Sequence, residues 1–476
     1  MVLTGPSSFK CKIMADTDIV CISPIDGREL VRRPIMSDAA IDAAITAARE
    51  AQVAWRHVPL SERASKVSAF LDALLAMNQE VVPEIAQMMG RPVRYGGEFR
   101  GVEERARYMI RIAEKSLQNI PADDEKAGFR RMIKREPVGL VLVIAPWNYP
   151  YLTAINTIVP ALMAGNAVLL KHASQTVLAG ERFQMAMDRA GLPKGLFQNM
   201  HLSHDQTSRI LGGGLVDHCN FTGSVGGGRS IERAAAGSFT SLGLELGGKD
   251  PAYVREDANI DHAIENLVDG AFFNSGQCCC GIERIYVHEK HYDRFVDGAV
   301  DLVNKYVLGN PLEEATTLGP MAHRRFADIV RQQNAEAMAK GAKAHIDARR
   351  FAADVGNTAY LAPQVLTGVD HSMSVMREES FGPTVGIMKV KGDEEAIRLM
   401  NDSAYGLSAA IWTSDVDAAE AIGEKLETGT VFMNRCDYLD PALAWTGVKD
   451  TGRGASLSRL AYESLTRPKS YHLRQI

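Results

Sequence analysis

Apolar positions in this chain recur first at helical spacing and later in unbroken runs. "SDAAIDAAITAAREAQVAW" and "SERASKVSAFLDALLAM" carry the three-to-four-residue period, and each begins at a serine able to cap a helix. In the second, Val67, Phe70, Leu71 and Leu74 share one face. The period then changes. "VGLVLVIAP" (138–146) and "NAVLLK" (166–171) are continuous apolar runs, the pattern of strands covered on both faces of a parallel sheet. A helical stretch over 176–190 follows, then the strand "DHCNFTGS" and the Gly-rich helix start "GGGRSIERAAAG".

Strands alternating with helices predict a doubly wound α/β domain. The second half repeats the alternation with "RIYVHE", "PTVGIMKV", "SAAIWTS" and "GTVFMN", which predicts a second α/β domain. Ligands of such sheets bind beyond the carboxyl ends of the strands, which places Trp147, Asn148, Lys171 and Ser224 along one crevice. The polar-alternating stretches 122–136 and "RPKSYHLRQI" read as edge strands suited to subunit contact. Pro137 to Leu170 holds no charged residue, long enough for a membrane span. Pro146, Asn148, Pro150, Pro160 and Gly165 break it into strand, loop, helix and strand of a soluble core.

Composition narrows the class. Fifty-three Lys and Arg against fifty-eight Asp and Glu give a net charge of -5, with no basic stripe for nucleic acid. The seven cysteines are an odd number, and three are consecutive, so a secreted disulfide framework is excluded. No CxxC or clustered His/Cys spacing points to a metal. The N-terminus has neither a signal-peptide core nor a transit pattern, and a cytoplasmic protein is expected.

The cysteine triplet in "FFNSGQCCCGIERIYV" is the first candidate for chemistry. Cys279 reads as a nucleophile, which needs a field or base favouring thiolate, or as one of several small buried residues. Glu245 in "LELGGKDP" reads as a general base or as an ion-pair partner of Lys249. Asn148 in "APWNYP" offers an amide for an oxyanion, or a turn. Gly223 and Gly228 in "FTGSVGGG" flank a strand-to-helix turn where a diphosphate could approach the backbone. "REESFGP" contributes Glu379 and Phe381.

In order and spacing these motifs resemble the aldehyde dehydrogenase superfamily from about Ile22 to Leu473, "LELGGK" and "FFNSGQCC" being the most specific pair. The resemblance implies a dinucleotide-binding domain over 14–120 and 138–247 and a catalytic domain over 248–450. Bridging, oligomer-forming elements over 121–137 and 464–476 complete the fold, and a homodimer or homotetramer is expected. It implies oxidation of an aldehyde to the acid with NAD or NADP. Cys279 would be the nucleophile, Asn148 the oxyanion donor, Glu245 the base for water and Lys249 part of a proton path. Trp147, Lys171, Ser224, Glu379 and Phe381 match cofactor positions. Tyr149, Leu152, Thr153, Asn156, Phe273, Cys278, Cys280 and Trp445 would line the aldehyde tunnel.

Two departures from the family pattern matter. The usual K-P-x-E reads Lys171-His172-Ala173-Ser174, and Ser174 removes a carboxylate that would repel a 2′-phosphate. NADP is therefore expected to be accepted. "ALAWTGVKDTGRG" replaces a Phe-Gly-Gly, so Trp445 enlarges the aromatic wall. With polar Thr153 and Asn156 this suits a mid-sized or aromatic aldehyde. Asp437 and Asp440 near the mouth would disfavour anions, and no arginine stands near these positions in sequence, which weighs against a carboxylate-bearing semialdehyde. Semialdehyde or amino-aldehyde oxidation, acyl transfer to coenzyme A, a non-redox thiol esterase and a non-catalytic binding protein are the competing readings; Glu245 speaks for hydrolysis over acyl transfer.

Overall fold

The computed structural model describes residues 17–476; Cys11 and the expected domain start at residue 14 lie outside them. The first sheet has six strands in the order Gly452–Arg453, Ser241–Glu245, His218–Thr222, Leu140–Ala145, Ala167–His172, Phe197–Asn199. All are parallel except Gly452–Arg453, where the chain returns from the second half and pairs antiparallel with Ser241–Glu245. Leu140–Ala145 and Ala167–His172 are buried at every position, as unbroken apolar runs require. The uncharged segment between them folds as strand, the helix Pro150–Ala164 and strand. Among the described residues no helix is long and apolar enough to cross a membrane.

The second sheet has seven strands in the order Lys343–Ala344, Gln364–Thr367, Thr384–Val390, Ile282–His288, Asp250–Val254, Ser408–Trp412, Thr430–Met433. Only Lys343–Ala344 runs antiparallel. Helices cover both sheets, and each sheet has its own buried apolar core.

Two local expectations change. Ser37 caps the helix Asp38–Trp55 by accepting from the Ala40 N–H, but Ser61 lies inside the helix Leu60–Leu75, whose cap position is Pro59. Proline fixes the backbone angle at a helix start, and the cap moves from Ser61 two residues upstream to Pro59. The stretch 122–136 is not an edge strand. Its second part forms Phe129–Pro137, the centre of a three-stranded sheet between Ile120–Pro121 and the C-terminal strand Thr466–Arg474.

Candidate active site

Segments from both halves of the chain meet around a cavity of about 170 Å³ beyond the carboxyl ends of the strands. The first is the loop after Leu140–Ala145, which carries Asn148 into the helix Pro150–Ala164. Tyr149, Leu152, Thr153 and Asn156 line the cavity from that helix and its cap, and Glu245 closes it from the end of Ser241–Glu245. Phe273 and the three cysteines follow the helix Ile260–Phe272, and Trp445 comes from the return segment. Asp437 also reaches the wall. Asp440 instead accepts from the Ala442 N–H and holds its own turn.

The loop before Cys279 is tightly constrained. Asn274, Ser275 and Gly276 stand in succession at φ of 54°, 57° and 70°, a conformation that non-glycine residues hold only when their surroundings fix it. Those surroundings are visible: Ser275 Oγ donates to Gly319 O at 2.8 Å, and Gln277 Oε1 accepts from Ala322 N at 2.7 Å. Asn148 is 5% exposed, and its Nδ2 donates to Gln277 O at 3.2 Å, leaving its second N–H for a ligand.

The three sulfurs lie within 4.8 Å of one another. Hydrogen bonds from Cys279 and Cys280 hold the Cys278 thiol below its ordinary value, and their bonds to Cys278 raise both neighbours. Thiols this close lose protons in steps that belong to the set and not to a single sulfur. Burial raises the Glu245 carboxyl above the usual range, with Thr222 Oγ1 at 3.3 Å and the Arg105 charge pulling the other way. A carboxylate shifted in this direction is a stronger base than one in water.

Lys249 does not face the cavity. Its ammonium is fully buried against Glu283 Oε2 at 2.5 Å and Ser380 Oγ at 2.9 Å, and Glu283 also accepts from the Ser380 and Phe381 N–H groups. This pair anchors the loop bearing Glu379 and Phe381. The two glycines of "LELGGK" serve the same loop. A Cβ on Gly247 would stand 2.3 Å from Glu379 Oε2, and one on Gly248 would stand 2.5 Å from Cys279 O. Gly248 N donates to Glu379 Oε1 at 3.0 Å, and burial pushes Glu379 up to about 8.

The expected cofactor residues stand at or after the carboxyl ends of the first sheet's strands and on the loop before Thr384–Val390. Trp147 packs edge-on to Phe381 at 5.5 Å and stacks on Phe326 at 5.2 Å. Ser224 caps the helix Val225–Ala235, and Gly228 lets its first turn pack on Leu246, whose Cδ2 would be 2.6 Å from a Cβ there. Phe221 fills the space a Cβ on Gly223 would need. Lys171, 7% exposed, makes no ion pair with any described residue, and burial lowers its pKa. A buried cation without a partner suits an anionic or hydroxyl-rich ligand, so these residues fit a dinucleotide. Ser174 is exposed nearby, and the Lys171 charge, after burial, holds His204 below the usual histidine value. Burial pushes His172 down to about 4, and its Nε2 ties Pro150 O to the strand end.

Three residues of this site were not found by sequence reasoning. Arg91 is 3% exposed and donates from Nε to Asn274 Oδ1, from Nη1 to Glu98 and from Nη2 to Asn148 O. Glu98 in turn accepts from the Tyr151 and Leu152 N–H groups at the start of the Asn156 helix. Arg105, on the helix Phe99–Ser116, lines the cavity itself, which corrects the expectation that no arginine serves this wall. One signal was present: Arg105 stands three residues after Val102 and four before Met109, beside the apolar stripe of its helix.

Comparison with known proteins fits this geometry. The aldehyde dehydrogenase family model matches residues 13–471. A succinate-semialdehyde dehydrogenase (NADP(+)) of Mycobacterium avium is 32% identical over 455 residues, covering 95% of this chain and 96% of that one. A geranial dehydrogenase of Castellaniella defragrans is 34% identical over 438 residues, 91% of this chain and 90% of that one. The solved succinate-semialdehyde dehydrogenase from Burkholderia pseudomallei superposes with a TM-score of 0.92 at 29% identity, over 96% of this chain and 95% of that one. A cysteine and a glutamate facing one cavity, with Lys171 a buried cation free of ion pairs among the described residues, thus belong to a chain of the aldehyde dehydrogenase family, an oxidoreductase that uses NAD or NADP.

Proposed function

We propose that Cys279 carries the oxidation of a short or mid-sized aldehyde to its acid, with Glu245 and Asn148 as its partners. The observation behind this reading is their convergence. Cys279 and Glu245 line one cavity, and Asn148 is bonded to the Gln277 carbonyl, two residues before the nucleophile. Cys279 gives its proton to Cys278, the sulfur of the cluster whose thiol is held lowest, and adds to the aldehyde carbon, the oxyanion being held by the free N–H of Asn148 and the Cys279 N–H. A nicotinamide held on the Phe381 and Trp147 side would supply the hydride acceptor that this oxidation needs, and Cys279 would then carry the acyl group as a thioester. Glu245 then takes a proton from water; hydroxide adds to the thioester carbonyl, the C–S bond breaks, and the acid leaves with the cysteine thiolate restored. Lys249 holds the Glu283–Ser380 loop in this scheme and touches no reacting atom.

The first sheet is the dinucleotide-binding domain and the second the catalytic domain in this reading. Lys171 and Glu379 hold the two riboses, Phe381 and Trp147 the nicotinamide side, and Ser224 with Gly223 and Gly228 the diphosphate. With Ser174 in place of a carboxylate and Lys171 and His204 close by, NADP is accepted as well as NAD. The aromatic wall of Tyr149, Phe273 and Trp445 supports an aldehyde with a hydrophobic body, while the semialdehyde relatives support a polar far end. The sheet edge Thr466–Arg474, with Leu473 and Ile133 exposed, is the subunit contact of a homo-oligomer. The six described cysteines are free, which suits a reducing cytoplasm.

Rapid mixing of enzyme, aldehyde and NADP tests the scheme. Glu245→Gln is expected to give a burst of reduced cofactor near one equivalent per site and then a steady rate about 100-fold below wild type. Unchanged steady turnover would remove Glu245 from the role of base.

A further inference from the structure

The cavity holds a cation, Arg105, that makes no ion pair with any described carboxylate; the charges it feels come from Cys280 and Cys279 across the cavity and from Glu98 and Glu245. Arg105 makes two hydrogen bonds, both from Nη1, both 3.4 Å long and both to neutral oxygens, Leu152 O and Asn156 Oδ1. Its Nε and Nη2 donate to no described residue. The carboxylates that feel its charge, Glu98 and Glu245, are committed elsewhere, to Arg91 and the helix N–H groups and to Thr222. Asp437, on the same cavity, makes no ion pair with it, and burial pushes that carboxyl above its usual range. The other arginines at the active-site end are satisfied: Arg91 has an acceptor for each nitrogen, and Arg284 donates to the Lys249, Leu399 and Met400 carbonyls.

Leaving a guanidinium partly desolvated without an anion is costly, and burial lowers the Arg105 pKa accordingly. Yet the fold brings it here by a specific arrangement. Gly101, one turn earlier on the same helix, has no side chain where a Cβ would meet Leu152 Cδ2 at 2.9 Å. The two helices approach closely at that point, and Arg105 reaches the Asn156 wall. A planar fork with open donors matches a carboxylate, which it can bind through two parallel bonds. The cavity, at about 170 Å³, is smaller than the roughly 300–1,000 Å³ of sites for drug-sized ligands, so a short chain suffices to span it.

We propose that Arg105 is the specificity residue of this cavity and binds a terminal carboxylate on a short-chain aldehyde substrate, an ω-oxo acid. This rests on the reading that Cys279 oxidises aldehydes in the same cavity. The test is kcat/KM for 4-oxobutanoate and for pentanal, a neutral chain of similar length, in wild type, Arg105→Met and Arg105→Lys. Wild type is expected to favour 4-oxobutanoate by about 10-fold or more. Arg105→Met should lower that preference by about 10- to 100-fold, mainly through KM for the acid, and Arg105→Lys should recover part of it. Taking the ratio within one variant cancels any general loss of folded or active enzyme. A ratio unmoved in Arg105→Met, or a wild type that prefers pentanal, overturns the proposal. Failure of the underlying reading looks different: wild type would reduce neither NAD nor NADP with either aldehyde.

Discussion

The two arginines of the active-site wall stand under opposite conditions. Every guanidinium nitrogen of Arg91 has an acceptor, and those acceptors are the Asn148 carbonyl, the Asn274 amide and Glu98. Arg105 uses one nitrogen for two long bonds and leaves the rest open. The first knot joins Asn148, the left-handed loop before Cys279 and, through Glu98, the start of the helix Pro150–Ala164. Reaction geometry tolerates little slack, so that end of the cavity is saturated by protein. The other end must exchange partners with every turnover, and its hydrogen-bonding capacity is held for the ligand.

Breaking the saturated end carries the largest expected effect. Arg91→Met leaves Glu98 buried without its cation, and such a deletion destabilises by about 3–5 kcal/mol. Urea unfolding should show that loss, and kcat in the surviving enzyme should fall at least about 10-fold as Asn148 and Asn274 lose their common anchor. A variant of unchanged stability and turnover would mean that the two arginines do not differ in the way described.

A smaller effect follows from Glu379, on the loop that Gly248 and the Lys249–Glu283 pair hold in place. Burial raises its carboxyl from 4.5 to about 8. Between those values the native protein retains a proton that the unfolded chain has released, so each rise in pH favours unfolding. Glu379→Gln removes this contribution. Urea midpoints of variant and wild type should therefore diverge in favour of the variant as pH rises from 5 to 8 and run parallel above it. Parallel curves across the whole range would place the carboxyl in a far more solvated position.

The contrast also separates what sequence could disclose from what it could not. The alternation of apolar runs and helical periods is local, and both parallel sheets follow from it. Cys279, Glu245 and Asn148 were legible because each sits in a short motif at a strand or helix end. Arg91, Glu98 and Arg105 lie in the helical first third, and their partners are distant in the chain: Arg91 meets Asn274 across 183 positions. Periodicity reveals which face of a helix is buried but not what it is buried against. A cation beside the stripe Phe99, Val102, Ala106, Met109 was the one available warning. The strand Phe129–Pro137 was misplaced for the same reason, since its C-terminal neighbour arrives from the far end of the chain.

The smallest effect tests how the open end is built. In Gly101→Ala the helix Phe99–Ser116 gains propensity, about 1 kcal/mol for a glycine replaced in a helix interior. The new methyl would stand 2.9 Å from Leu152 Cδ2, so something must yield. Leu152 lines the cavity, and the end of a flexible side chain moves more easily than two packed helices. Stability should then change by less than about 1 kcal/mol, while KM for the aldehyde rises about two- to fivefold as Leu152 turns into the substrate space. A stability loss above about 2 kcal/mol with KM unmoved would show the backbone taking up the strain. In that case the wall around Arg105 would be as rigid as the knot around Arg91, and the two ends would differ in charge satisfaction alone.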